Sequence, residues 1–167
     1  PNSIAAVNEN AVFFRGTDNK IYFASYAATI WTIDVVNSGA TYLCAGDLES
    51  NSVSKVFYRG TDGYIHYFTK VLGAWNHNWI ESATAPLSTK INSEANSLIL
   101  LSNDVYFRGN TDNKLHRYVF SGGSYTHSII NGIGKTNNKK IKGNMRLGPS
   151  TSIYYLGMDD KIQYYQL

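Results

Sequence analysis

The chain has 167 residues, enough for one domain with one continuous core. A net charge of +3 with no long basic stripe argues against a nucleic-acid partner, and the single cysteine, Cys44, rules out an intrachain disulfide. No apolar run approaches the roughly 18 residues that membrane insertion requires, so none is expected. With only 16% charged residues, the surface is expected to be rich in Asn, Ser, Thr and Gly, and thirteen tyrosines favour strands and hydroxyl-bearing contact surfaces.

In chain order, a mostly apolar run at Asn2–Val7 predicts a strand. It is followed by Val12–Arg15, a β-branched and aromatic strand, and by Thr17–Lys20, whose Asp18 and Asn19 are turn formers. Ile21–Tyr26 returns as a third strand and Ile30–Ile33 as a fourth. The pattern then starts again. Thr41–Ala45 is the expected inner strand, Val56–Arg59 leads into Thr61–Asp62–Gly63, and Ile65 begins the return. Asn78–Ile80 is the expected outer strand. A third round runs through Asn96–Leu101, Val105–Arg108, a turn lengthened by Asn110, and Tyr125–Ile129. The fourth has Asn144–Leu147, Ile153–Leu156 and Ile162–Tyr164. The inner runs are apolar enough for burial on both faces.

A glycine recurs at 16, 60, 109 and 157, at spacings of 44, 49 and 48 residues. Four short antiparallel strands repeated at such a period predict an all-β fold, a small β-propeller of about four blades with the last incomplete. The repeats fall at about 1–38, 39–90, 91–138 and 139–167 of a single domain. One such sheet cannot bury both of its faces, so neighbours must pack face to face. A fragment of a larger ring, or a protomer completing one as a homo-oligomer, are the rival architectures. The chain begins at Pro1 without Met or a visible signal peptide, as a processed form or excised fragment would. Secreted or cell-surface placement is expected ahead of cytoplasmic.

Several residue types recur with the repeat. Arg15, Arg59 and Arg108 end the second strand, on one face with Phe13, Phe57 and Tyr106, and Leu156 replaces them in the fourth copy. They are either blade-to-blade linkers or donors lining ligand clefts. Asp18, Asp62, Asp112 and Asp159 sit in the turns as caps. Tyr22, His66 and His116 match one another, with Gln163 in the fourth copy, and all can hydrogen-bond a hydroxyl-rich ligand or lie on an ordinary surface. Trp31 pairs with Trp79 if the second copy has a longer loop, or with Trp75 if counted from the glycine. These tryptophans either pack blades or form platforms for the apolar face of a sugar. Lys135, Lys139, Lys140, Lys142 and Arg146 form the densest basic run, read as a solvated loop or an anion contact.

Catalysis finds little support. No Ser–His–Asp set is marked, and the glutamates at 9, 49, 81 and 94 do not follow the repeat as a placed carboxylate pair would. Metal-ligand spacing is absent, so neither metal nor cofactor is expected.

The segments Val56–Gly63 and Val12–Asn19, each followed by an aromatic-rich strand and then Trp79 or Trp31, resemble the blade repeat of bacterial and fungal β-propeller lectins. That resemblance implies a carbohydrate-binding lectin, with several sugar sites in clefts between blades and no enzymatic activity. Its ligand-binding residues would be Arg15, Tyr22, Trp31, Arg59, His66, Trp75, Trp79, Arg108 and His116. Glycan termini would be the partners. The alternative is a protein–protein interaction propeller, or the recognition module of a larger exported protein.

Overall fold

The structure is a computed structural model that describes residues 3–81, 90–94, 96–130, 141–149 and 151–166. The lysines at 135, 139 and 140 lie outside them. All the regular structure described is β-strand. Sheet 1 contains β1 (Ile4–Asn8), β2 (Ala11–Arg15), β3 (Ile21–Ala27) and β4 (Ile30–Val35), each pairing with the next. Sheet 2 repeats this order with β5 (Cys44–Ser52), β6 (Lys55–Gly60), β7 (Ile65–Val71) and β8 (Ala74–Trp79). Sheet 3 contains β9 (Leu98–Leu101), β10 (Asp104–Arg108), β11 (Leu115–Ser121) and β12 (Ser124–Ile129). Sheet 4 has three strands, β13 (Ile141–Gly148), β14 (Ser152–Gly157) and β15 (Ile162–Gln166). The expected hairpins are therefore present in all four copies.

The second inner strand begins at Cys44 rather than Thr41. Tyr42 has a φ of 60°, a left-handed conformation that a strand cannot hold. The second outer strand spans Ala74–Trp79, so it contains Trp75. Trp75 pairs with Lys70 as Trp31 pairs with Tyr26 and Tyr125 with Phe120, which makes Trp31, Trp75 and Tyr125 the equivalent set. Trp79 corresponds to Val35 and Ile129, so the longer-loop alignment of Trp31 with Trp79 does not hold.

The chain divides into two compact units, residues 1–86 and 87–167. In the first, the Phe13 and Phe23 face of sheet 1 packs on the face of sheet 2 that carries Val56, Tyr58 and Phe68. Cys44 lies fully buried in this core, and burial pushes its thiol up to about 11. In the second, Ile99, Tyr106 and Leu115 of sheet 3 pack on Ile141, Met145, Ile153 and Tyr155 of sheet 4. The first inner strand departs from expectation, because Ile4 of β1 is exposed.

Candidate functional site

The recurring turn is one structure built four times. The glycine N–H bonds the carbonyl of the residue that closes the hairpin: Gly16 to Lys20, Gly60 to Tyr64, Gly109 to Lys114 and Gly157 to Lys161. The turn aspartate accepts a backbone N–H two residues on, from Lys20, Tyr64, Lys114 or Lys161. The next residue after each aspartate is left-handed: Asn19, Gly63, Asn113 and Asp160. Asn, Asp and Gly tolerate that conformation best.

Each aspartate also grips the third strand. The Tyr22 hydroxyl donates to Asp18 at 2.9 Å, His66 Nε2 lies 3.0 Å from Asp62, His116 Nε2 lies 3.1 Å from Asp112, and Gln163 reaches Asp159 at 3.4 Å. This clamp explains the glycine. A Cβ at position 60 would stand 2.6 Å from Asp62 Oδ1 and 2.7 Å from the His66 ring, with no room for a methyl group. The residues read as hydroxyl-ligand contacts are thus held by their own turns. His66 and His116 are almost wholly buried there.

Behind each buried histidine stands another. His66 Nδ1 lies 2.9 Å from His77 Nε2, and His116 Nδ1 lies 2.9 Å from His127 Nε2. With Nε2–H of the inner ring donating to the carboxylate, its Nδ1 must accept, so the outer ring donates from Nε2. Burial drives His77 down to about 4, helped by the neighbouring His66 and opposed by Asp62. Burial also lowers His66 despite its carboxylate partner. At Asp112 burial pushes upward, but the Lys114 N–H and His116 outweigh it and hold the carboxyl below its ordinary value.

Around His77 the second sheet builds an aromatic nest. Tyr42 stacks on His77 with centroids 3.5 Å apart and planes 6° from parallel, and Trp79 stands nearly perpendicular to both. Trp79 also meets His66 at 4.2 Å. The Tyr42 carbonyl accepts from the Tyr58 hydroxyl at 3.0 Å and from Asn37 at 3.3 Å. Those bonds hold the Tyr42 ring, itself open to solvent, at the junction of sheets 1 and 2. Of the expected site residues, His66 and Trp79 meet here. Tyr42 and His77 join them, and neither was singled out from the sequence. The signal for His77 was present: it follows His66 by eleven residues, as His127 follows His116.

The other candidates lie apart. Trp75 packs edge-on to Phe13 at 5.7 Å and Phe23 at 6.0 Å, joining sheets 1 and 2, and its buried Nε1 has no partner among the described residues. Lys70 lies over its ring and pairs with Asp34 of sheet 1 at 2.9 Å. Trp31 is half-exposed on β4 beside Tyr26.

The arginines differ according to the left-handed turn residue. Arg15 and Arg108 each donate from Nε to the side-chain oxygen of Asn19 or Asn113, at 3.1 Å in both cases. Arg108 also bonds Glu94 at 2.5 Å and the Lys142 carbonyl of sheet 4 at 2.8 Å, so it links neighbouring sheets. In sheet 2 Gly63 replaces the asparagine. Arg59 Nε is left with no hydrogen-bond acceptor among the described residues, since Asp47 lies 3.7 Å away. Where Leu156 replaces the arginine, Asp160 pairs instead with Lys142.

The repeated four-stranded sheet has solved counterparts. The WD40 β-propeller domain of Doa1 superposes with a TM-score of 0.56 at 14% identity, over 98% of this chain and 50% of that one. The fold is that of a β-propeller. AofleA from Arthrobotrys oligospora superposes with a TM-score of 0.57 at 16% identity, over 99% of this chain and 56% of that one. A variant of AofleA with three arginines changed to alanine gives 0.59 at 17% identity over the same shares. The chain thus spans about half the length of the propellers on which it superposes. No family model matches the sequence, and no curated protein is similar to it.

Proposed function

We propose that this propeller binds carbohydrate at several blade-equivalent sites, as a lectin without catalytic activity, over a single domain of residues 1–167. The Tyr42–His77–Trp79 nest carries this reading. Two aromatic faces set at right angles, with imidazole nitrogens beside them, suit the C–H face and the hydroxyl rim of one sugar ring. Among the expected residues, Trp79, Trp31 and Tyr22 supply ring faces at the blades, and Arg15 and Arg59 supply guanidinium groups. His66, His116, Arg108 and Trp75 act through the geometry they impose on their neighbours.

A site this small holds few atoms, so each binds weakly and repetition on one chain raises avidity on a glycan-coated surface. Blade 3 keeps the Asp112–His116–His127 array but has Ile129 where blade 2 has Trp79. Its site is therefore weaker.

Isothermal titration with fucose, galactose, N-acetylglucosamine, mannose and sialic acid tests this reading. The expected result is binding with more than one site per chain and a loss of at least tenfold in the tightest site on Trp79→Ala or Tyr42→Ala. Silence across that panel and across an oligosaccharide array, with folded protein, overturns it.

A further inference from the structure

Sheet 2 lines up three side chains, Asp62, His66 and His77, and sheet 3 lines up Asp112, His116 and His127. Sheet 1 has Tyr22 in the place of the first ring and Ile33 in the place of the second, so it has no such line. Only in sheet 2 does the line end in the aromatic nest of Tyr42 and Trp79.

That line has one direction. A carboxylate only accepts, so His66 Nε2, 3.0 and 3.1 Å from the two oxygens of Asp62, carries its proton toward them. His66 is 1% exposed, and burial keeps the ring neutral despite its carboxylate partner, so no second proton sits on Nδ1. His77 Nε2, 2.9 Å away, must therefore donate to that Nδ1. Burial and the neighbouring His66 keep His77 neutral too, against the pull of Asp62. A neutral imidazole has a single N–H. The one proton of His77 is committed to His66, and its Nδ1 holds a lone pair alone. Among the described residues none bonds that nitrogen. Turning the ring over would leave His66 Nδ1 without its donor, and Tyr42, stacked 3.5 Å from His77, opposes the movement.

We propose that His77 is the specificity-determining residue of the nest, its Nδ1 accepting a hydrogen bond from a hydroxyl of an uncharged sugar. The inference rests on the carbohydrate reading of this nest and adds the direction of its polar contact. A carboxylate, a sulfate or an ether oxygen facing Nδ1 would set lone pair against lone pair. The titratable groups that act on His77 are His66 and Asp62, so an acidic sugar finds no cation beside it. Asp62 is a positioning residue, fixing from two rings away which nitrogen of His77 is bare.

Long-range proton–nitrogen correlation spectra of the chain at pH 7.5, assigned with His77→Gln, read the protonated nitrogen directly. The proton is expected on Nε2 and not on Nδ1. Titration then uses the tightest binder among fucose, galactose, N-acetylglucosamine and mannose. It is compared with its deoxyfluoro derivatives, each carrying fluorine, which cannot donate, in place of one hydroxyl. One derivative should lose about tenfold in affinity. Asp62→Asn should reverse the line: the asparagine oxygen still accepts from the Tyr64 N–H, its amide donates to His66 Nε2, and His77 Nδ1 gains the proton. The spectrum should show that transfer, and the fluorine penalty should vanish; a role in packing alone would move neither. Should this variant fail to fold, the parent spectrum and the fluorine series still decide. A proton on Nδ1 in the parent overturns the proposal even where sugars bind. So does a bound sugar whose derivatives all keep its affinity, or sialic acid as the tightest ligand. Silence across every sugar overturns the carbohydrate reading itself, and this inference falls with it.

Discussion

A single carboxylate organises each turn. Asp62 takes a backbone N–H, grips a buried imidazole and leaves no room for a Cβ at Gly60. Removing it with Asp62→Ala leaves His66 Nε2 buried and unpaired, and the expected cost is about 1–3 kcal/mol by denaturant unfolding. Gly60→Ala should cost a similar ~1–3 kcal/mol, because the methyl displaces the clamp it meets. Gly63→Asn should do the reverse. It restores the acceptor that Asn19 and Asn113 give their arginines, at a φ of 84° that asparagine tolerates, and should stabilise by about 1 kcal/mol. The turn itself was legible, since Thr–Asp–Asn and Thr–Asp–Gly between β-branched runs carry a turn mechanism. The clamp was not. Nothing in the spacing says that Tyr22, His66, His116 and Gln163 face inward to the aspartate rather than outward to a ligand.

The strand is the scale at which register decides meaning. Trp31 and Trp79 look alike in sequence, but pairing across β3–β4 and β7–β8 sets Trp75 beside Trp31 and leaves Trp79 to the histidines. Counting from the glycine finds this, whereas matching by residue type misses it. Trp75→Ala removes the ring that joins sheets 1 and 2, and about 3–5 kcal/mol should be lost in denaturant unfolding. The paired strands β7 and β8 also make stability depend on acid. His66 and His77 have folded values below the ordinary 6.5, so the unfolded chain takes up protons first as pH falls. Their contribution is complete above pH 6.5 and is lost as pH drops through the folded value of His77, about 4. The denaturant midpoint should therefore fall between pH 7.5 and pH 4.5, and His77→Gln should flatten that dependence.

At the scale of the whole molecule, repetition was the strongest signal in the sequence, and it foretold the sheet order of all four copies. It could not show that Tyr154 is 37% exposed while Phe13, Phe57 and Tyr106, which hold its place in the other copies, are buried. Nor did it place a tryptophan at the end of β8 opposite an isoleucine at the end of β12, since that equivalence follows from strand pairing. If the chain binds sugar as proposed, the difference between those two strand ends should appear as unequal steps in a titration rather than one uniform class. Cys44 offers a way to watch the molecule in time. Its sulfur is sealed in the core of the first unit and holds its proton far above neutral pH, so a thiol reagent can reach it only when that unit opens. Labelling under native conditions is thus a clock built into the chain: its rate reports how often β5 comes away from its neighbours, and any ligand that clasps blades 1 and 2 together should slow it in proportion to its occupancy.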